Sequence, residues 1–245
     1  MGNILRRILQ GLAAVAFISV VLFHPAVRAQ DSTRIGLKMF HGESGKHLYE
    51  AERTIESADG RVTERTVFRK ASGEAIQQSE TVYDDASLKL ISHQMKDSRL
   101  GLEEEVTVSE GKIKFVYREA GDEEVEKDEE DWADNMIIAP TIMPLLRRNW
   151  DKLVAGEEVV FELVVASRQG TITFRLRKEA QAGVHGEPAT VVVMEPDSFL
   201  IRALVNPMFY TVADAAPHRL LRYAGRTTVK ADDGGDQDLR VEYSY

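Results

Sequence analysis

Cysteine is absent from this 245-residue chain. That excludes disulfides, thiolate zinc sites, iron–sulfur clusters, a thiol nucleophile and the acylated cysteine of a bacterial lipoprotein. Net basic charge is missing too: 31 Lys and Arg against 40 Asp and Glu give −9, the wrong sign for gripping a nucleic-acid backbone. Neither HExxH nor HxxxH occurs, and His41, His47, His93, His185 and His218 read as surface or turn residues. No GxSxG elbow is present. Gly42-Glu43-Ser44-Gly45-Lys46 lacks the glycine spacing and the hydroxyl of a phosphate loop. Asp232-Asp233-Gly234-Gly235-Asp236-Gln237-Asp238 misses the EF-hand register and reads as a polar hairpin turn. Carboxylates such as Glu103, Glu104 and Glu105 are too abundant to nominate a glycosidase pair. Nothing in the sequence calls for a metal, a cofactor or a named catalytic residue.

What is present begins with an export signal. Arg6 and Arg7 precede the uncharged stretch Ile8 to Phe23, Pro25 breaks it, and Val27-Arg28-Ala29 supplies small residues at −3 and −1 of a cleavage site. Residues 1–29 read as a signal peptide, and the alternative is an uncleaved anchor. Sixteen residues rise only about 24 Å as a helix, short of a comfortable bilayer span. Cleavage after Ala29 makes the remainder more acidic and places it in the periplasm or outside the cell, with no membrane span left. Residues 30–46 read as a loose lead-in, and 47–245 as one β-rich domain.

The apolar fraction, 43%, is ample for a core. From 47 onward the period is mostly two. Ile113, Phe115 and Tyr117 alternate with lysines, Ile172, Phe174 and Leu176 with Thr and Arg, and Leu239, Val241, Tyr243 and Tyr245 with Arg240, Glu242 and Ser244. Turn pairs such as Asp59-Gly60, Ser72-Gly73 and Glu110-Gly111 separate the runs. These features predict about ten antiparallel strands in a meander. Asp122 to Asp134, with nine carboxylates, reads as a solvated loop. Ala139 to Val154 carries Ile142, Leu145, Leu146 and Leu153 at helical spacing, with Gly156 as a stop, and Asp197 to Val205 reads as a second helix. A large twisted sheet must curl or be covered. The expected fold is therefore mainly β, a strongly curved antiparallel sheet or half-barrel wrapped around one or two helices.

Methionine and aromatic side chains suit pockets for flexible apolar ligands as well as irregular cores. Ile142, Met143, Leu146, Trp150, Met194, Phe199, Leu200, Met208 and Phe209 are the candidate lining of a groove between helix and sheet. Arg222 and Arg226 are the candidate head-group contacts. The arginine row Arg61, Arg65 and Arg69 reads as cross-strand pairing or solvent exposure.

Three stretches carry a resemblance: Ala139-Pro140-Thr141-Ile142-Met143-Pro144-Leu145-Leu146, Trp150-Asp151-Lys152-Leu153-Val154-Ala155-Gly156-Glu157, and Leu220-Leu221-Arg222-Tyr223-Ala224-Gly225-Arg226. In their order, over most of residues 45–245, the chain resembles uncharacterised periplasmic half-barrel proteins, broadly similar to the lipoprotein carriers LolA and LolB. The resemblance implies a concave apolar side able to hold acyl chains, although the acylated cysteine of LolB-type proteins is missing. Three readings stay open. One is a non-enzymatic binder of an apolar or lipidic ligand, the second an envelope-assembly module with a solid core and a protein partner, the third a hydrolase with dispersed residues.

Overall fold

The computed structural model describes residues 31–245, so the export signal lies outside the described residues. The first half of the chain is a run of strands: β1 (Asp31–His41), β2 (His47–Ala58), β3 (Arg61–Lys70), β4 (Ala75–Asp84), β5 (Leu90–Asp97), β6 (Leu102–Ser109), β7 (Lys112–Arg118) and β8 (Glu126–Asp131). A two-residue β9 (Met136–Ile137) leads through a tight turn into α1 (Ile142–Arg148) and α2 (Trp150–Val154). The second half holds β10 (Val159–Val165), β11 (Gly170–Val184), β12 (Glu187–Pro196), α3 (Phe199–Arg202), β13 (Met208–Ala213), β14 (Leu220–Arg226) and β15 (Asp238–Ser244). No helix among the described residues is long and apolar enough to cross a membrane.

All fifteen strands form one sheet, running from β8 down to β1, then from β15 back to β9. Each pair is antiparallel except β9 with β10. The seam between the halves is β1, which pairs with β2 on one side and β15 on the other. Residues 31–41, expected as part of a loose lead-in, are thus the central strand, with Ile35, Leu37 and Met39 buried. The acidic stretch expected as a loop contains β8, an edge strand on β7. Its charge discourages the addition of a further strand at that edge.

The sheet curls because its registers are interrupted. Bulges fall at Met39/Phe40, Phe68/Arg69, Val82/Tyr83, Lys178/Ala180 and Thr211/Val212, and each bends its strand and adds twist. Gly225 serves the same bending: at φ 144° it lies where a Cβ would come within 2.6 Å of Met208 Cγ. The two edges are not hydrogen-bonded to each other. Instead Leu90, Val106, Ile113 and Phe115, on the concave side of β5 to β7, cluster with Met136, Ile138, Val164 and Ala166. Ile137, Phe161 and Leu163, of opposite parity on β9 and β10, belong to the main core. One edge is therefore tucked inside the other, and the cup closes by overlap.

Its axis is the α1–α2 rod, whose Ile142, Leu146, Trp150 and Leu153 share one apolar cluster with Leu37, Leu176, Met194 and Val212. The single helix expected over 139–154 is broken at Asn149, which caps both pieces and whose side-chain amide donates to the Leu145 carbonyl at 2.9 Å. The second expected helix is one turn long and covers nothing: Phe199, Leu200 and Leu204 are 76%, 75% and 85% exposed. The connection 197–207 lies beyond the ends of β12 and β13.

The two ends of the cup differ. At one, the β14–β15 connection 227–237 plugs the interior with fully buried Val229. Gln77 reaches its Thr228, Arg99 pairs with Asp232 at 2.7 Å and bonds the Lys230 carbonyl, and Gln237 bonds the Tyr49 hydroxyl. Of the carboxylates in this turn, Asp232 pairs with Arg99, and Asp236 with Arg226 and Lys230. The other end opens beside α1.

Candidate functional site at the open end

Register lines place the pocket. On adjacent strands Ile35 faces Arg53 and Arg53 faces Thr66, while Ile55 faces Glu64, and Val62 faces Tyr83. These residues point into the cup at its open end. Tyr243 joins them from β15, Tyr245 from just past its end, Leu220 from β14, and Pro140, Met143, Pro144, Arg147 and Arg148 from the α1 side. Together they enclose a cavity of about 320 Å³. Its floor is apolar (Ile35, Ile55, Val62, Met143) and its wall is polar.

The polar wall is only partly self-satisfied. Arg53 Nε lies 3.2 Å from Glu64 Oε1 and 3.4 Å from the Thr66 hydroxyl. Burial pushes the Glu64 carboxyl up, and Arg53 and Arg147 pull it back down. Burial acts to lower Arg53, yet Glu64 and the neighbouring tyrosines hold it above its ordinary value, so it stays charged. Burial also pushes Tyr243 up to about 12, and Tyr83 higher, leaving both phenols as neutral donors. The Tyr245 hydroxyl donates to the Leu220 carbonyl at 3.1 Å. Arg148 is tied to the carbonyls of Asp85 and Ala86. Arg147 donates from Nε to the His218 carbonyl at 3.2 Å and has no carboxylate partner within ion-pair distance among the described residues. The hydroxyls of Tyr83 and Tyr243 likewise bond to no other described residue.

The candidate lining residues fall in different places. Met143 lines this pocket. Ile142, Leu146, Trp150, Met194 and Met208 are buried in the main core, with Trp150 stacked on His218 at 4.3 Å. Phe209 is half-buried with the opposite parity to Met208 and Tyr210, and Phe199 and Leu200 stand in solvent near the plugged end. Arg222 pairs with Glu242, and Arg226 with Asp236 and Asp238, away from the cavity. The residues that make the pocket polar escaped sequence reading. One signal was available: Arg53 and Glu64 occupy inward parity, between Ala51 and Ile55 and between Val62 and Thr66.

A second hollow, of about 500 Å³, lies on the outer face of β3 to β7, and several of its charged lining residues pair with one another. Arg65 pairs with Glu56 and Glu80, and Glu103 with Lys96 and Arg118. The arginine row is therefore used in cross-strand pairing at Arg65. Among the described residues no group of His, Asp and Glu is placed to hold a metal ion.

Deeper inside the cup lies a buried polar chain. The Thr81 hydroxyl is 2.8 Å from His93 Nδ1, and His93 Nε2 is 4.0 Å from Glu104. His93 is thus a core residue, contrary to the surface expectation, because its parity on β5 faces inward beside Thr81. The order hydroxyl, imidazole, carboxylate evokes a catalytic triad. Here Thr81 is 1% exposed, out of a substrate's reach, and the carboxylate stands beyond hydrogen-bond length from the ring.

This chain has a pH signature. Burial pushes Glu104 from 4.5 up to about 7, opposed by Lys230, and pushes His93 from 6.5 down to about 4. Glu104 then binds a proton on folding, so its contribution is lost as pH rises from 4.5 to about 7. His93 releases one, so its contribution is lost as pH falls from 6.5 to about 4. Between 4.5 and 6.5 the two slopes oppose each other. His93→Asn should uncover the first, with stability falling by up to about 1.4 kcal/mol per pH unit on the way up, and Glu104→Gln the reverse slope. Urea midpoints at about pH 5 and about pH 6.5 measure this. A flat or rising profile for His93→Asn would show that Glu104 titrates normally.

No protein-family model matches the chain, and no curated protein is similar to it. Among solved structures it is similar to a β-barrel-like protein of domain of unknown function DUF1849 from Brucella abortus, at 10% identity, covering 88% of this chain and 95% of that one, with a TM-score of 0.47. A DUF1329 family protein from Desulfovibrio piger matches at 10% identity over 89% of this chain and 85% of that one, with a TM-score of 0.19.

Proposed function

We propose that this chain is a non-enzymatic periplasmic binding protein, taking a single-chain apolar or amphipathic ligand at the mouth of the cup, between α1 and the concave sheet. One observation carries this reading: a cavity of about 320 Å³ with an apolar floor lies open beside α1, at the margin of the main core. That volume lies at the small end of the range of about 300–1,000 Å³ usual for ligand pockets, so one short chain suits it better than a diacyl lipid. The likeness to lipoprotein carriers belongs to the same proposal, in reduced form: a short tail at the mouth in place of acyl chains along the interior.

Calorimetric titration of the purified protein with octanol tests it. Saturable binding is expected, weakening about tenfold for hexanol because each buried methylene contributes about 0.8 kcal/mol. Met143→Trp fills the floor and should remove binding with little change in melting temperature. No saturable binding, or binding that ignores Met143→Trp, overturns the proposal.

A further inference from the structure

We infer that the ligand of the mouth pocket carries a single negative charge, a carboxylate, received by Arg147 with the hydroxyls of Tyr83 and Tyr243. The inference rests on the proposed binding function and adds the chemical class of the head group. Three facts support it. Arg147 lines the cavity with its Nε on the His218 carbonyl, and although Glu64 feels its charge, no carboxylate of the described residues lies within ion-pair distance of it. Two phenols in the same wall, Tyr83 and Tyr243, have hydroxyls that bond to no other described residue, and a neutral phenol donates well to an anion. Finally, the charges around the cavity are Arg53, Arg147 and Arg148 against Glu64 and Asp85. Among the lining side chains the excess is one positive charge. A monoanion balances it, whereas a phosphate dianion would leave net negative charge beside Glu64, which is already buried.

Arg53 is excluded as the receptor because its charge is already paired with the Glu64 carboxylate at 3.2 Å, and Arg148 because both its terminal nitrogens hold backbone carbonyls. Arginine's planar fork matches a carboxylate in two-point contact. The ligand class is then a single-chain carboxylic acid, head toward Arg147 and tail on Ile35, Ile55 and Met143.

Titration of the full protein with octanoate and octanol in parallel separates the possibilities. The wild type should bind octanoate at least about tenfold more tightly than octanol, the worth of a charge-assisted contact. Arg147→Gln should erase that preference, weakening octanoate about tenfold more than it weakens octanol, and Tyr83→Phe should weaken octanoate more than octanol. If Arg147→Gln fails to fold, the wild-type preference and the Tyr83→Phe result decide. Equal affinity of the wild type for the two ligands overturns the carboxylate assignment and leaves the binding function standing. Retention of the octanoate preference in Arg147→Gln overturns the role of Arg147. Binding of neither ligand removes the binding function, and this inference with it.

Discussion

Leu146→Ala is expected to lower the stability of the fold by about 2–5 kcal/mol, the range for a leucine truncated in a core that cannot collapse around the gap. Leu146 is fully buried on α1, and Leu153, equally buried, follows on α2 in the same cluster. The sheet surrounds this rod on several sides, so no neighbouring element is free to move in and refill the space. Leu204→Ala is the control, since Leu204 is 85% exposed and its loss should register within about 0.5 kcal/mol. Urea unfolding of both variants, with unchanged m, measures the contrast. Equal, small effects would mean that the rod does not organise the cup.

Arg53→Met should cost about as much, roughly 3–5 kcal/mol, for an electrostatic reason. It leaves Glu64, 5% exposed, without the guanidinium that offsets its desolvation. The double variant Arg53→Met, Glu64→Leu should recover most of that loss, because replacing both members of a buried pair with apolar groups is often neutral or stabilising. Recovery in the double variant separates an orphaned carboxylate from simple loss of arginine packing. If the double variant is as unstable as the single one, the cost lies in the shape of the arginine side chain. Recovery would mean that stability alone gives no reason to keep a charged pair in the wall of the pocket.

The parts of the fold legible in the sequence were those where side-chain pattern and backbone pairing agree. The alternation in Lys112 to Arg118 and in the last strand, and the helical spacing of Ile142, Leu146 and Leu153, read correctly because each buries one face. The edge strand Glu126–Asp131 was illegible for the opposite reason. It is exposed along most of its length, so backbone hydrogen bonds to β7 hold it and no periodicity marks it. The break at Asn149 escaped notice because a capping side chain at that point leaves the apolar spacing intact. At the site, the methionine and aromatic cluster drew attention as ligand lining, but Met194, Met208 and Trp150 fill the irregular core. The pocket is made by the few polar residues of inward parity, which alternation alone reads as exceptions.

A crystal structure with octanoate brominated at its tail carbon places both ends of the ligand at once. The bromine is expected on the apolar floor beside Ile55 and Met143, with the carboxylate against the Arg147 guanidinium. Bromine seated at the plugged end beside Val229, or on exposed Phe199 and Leu200, with the mouth unoccupied, would contradict the proposed site.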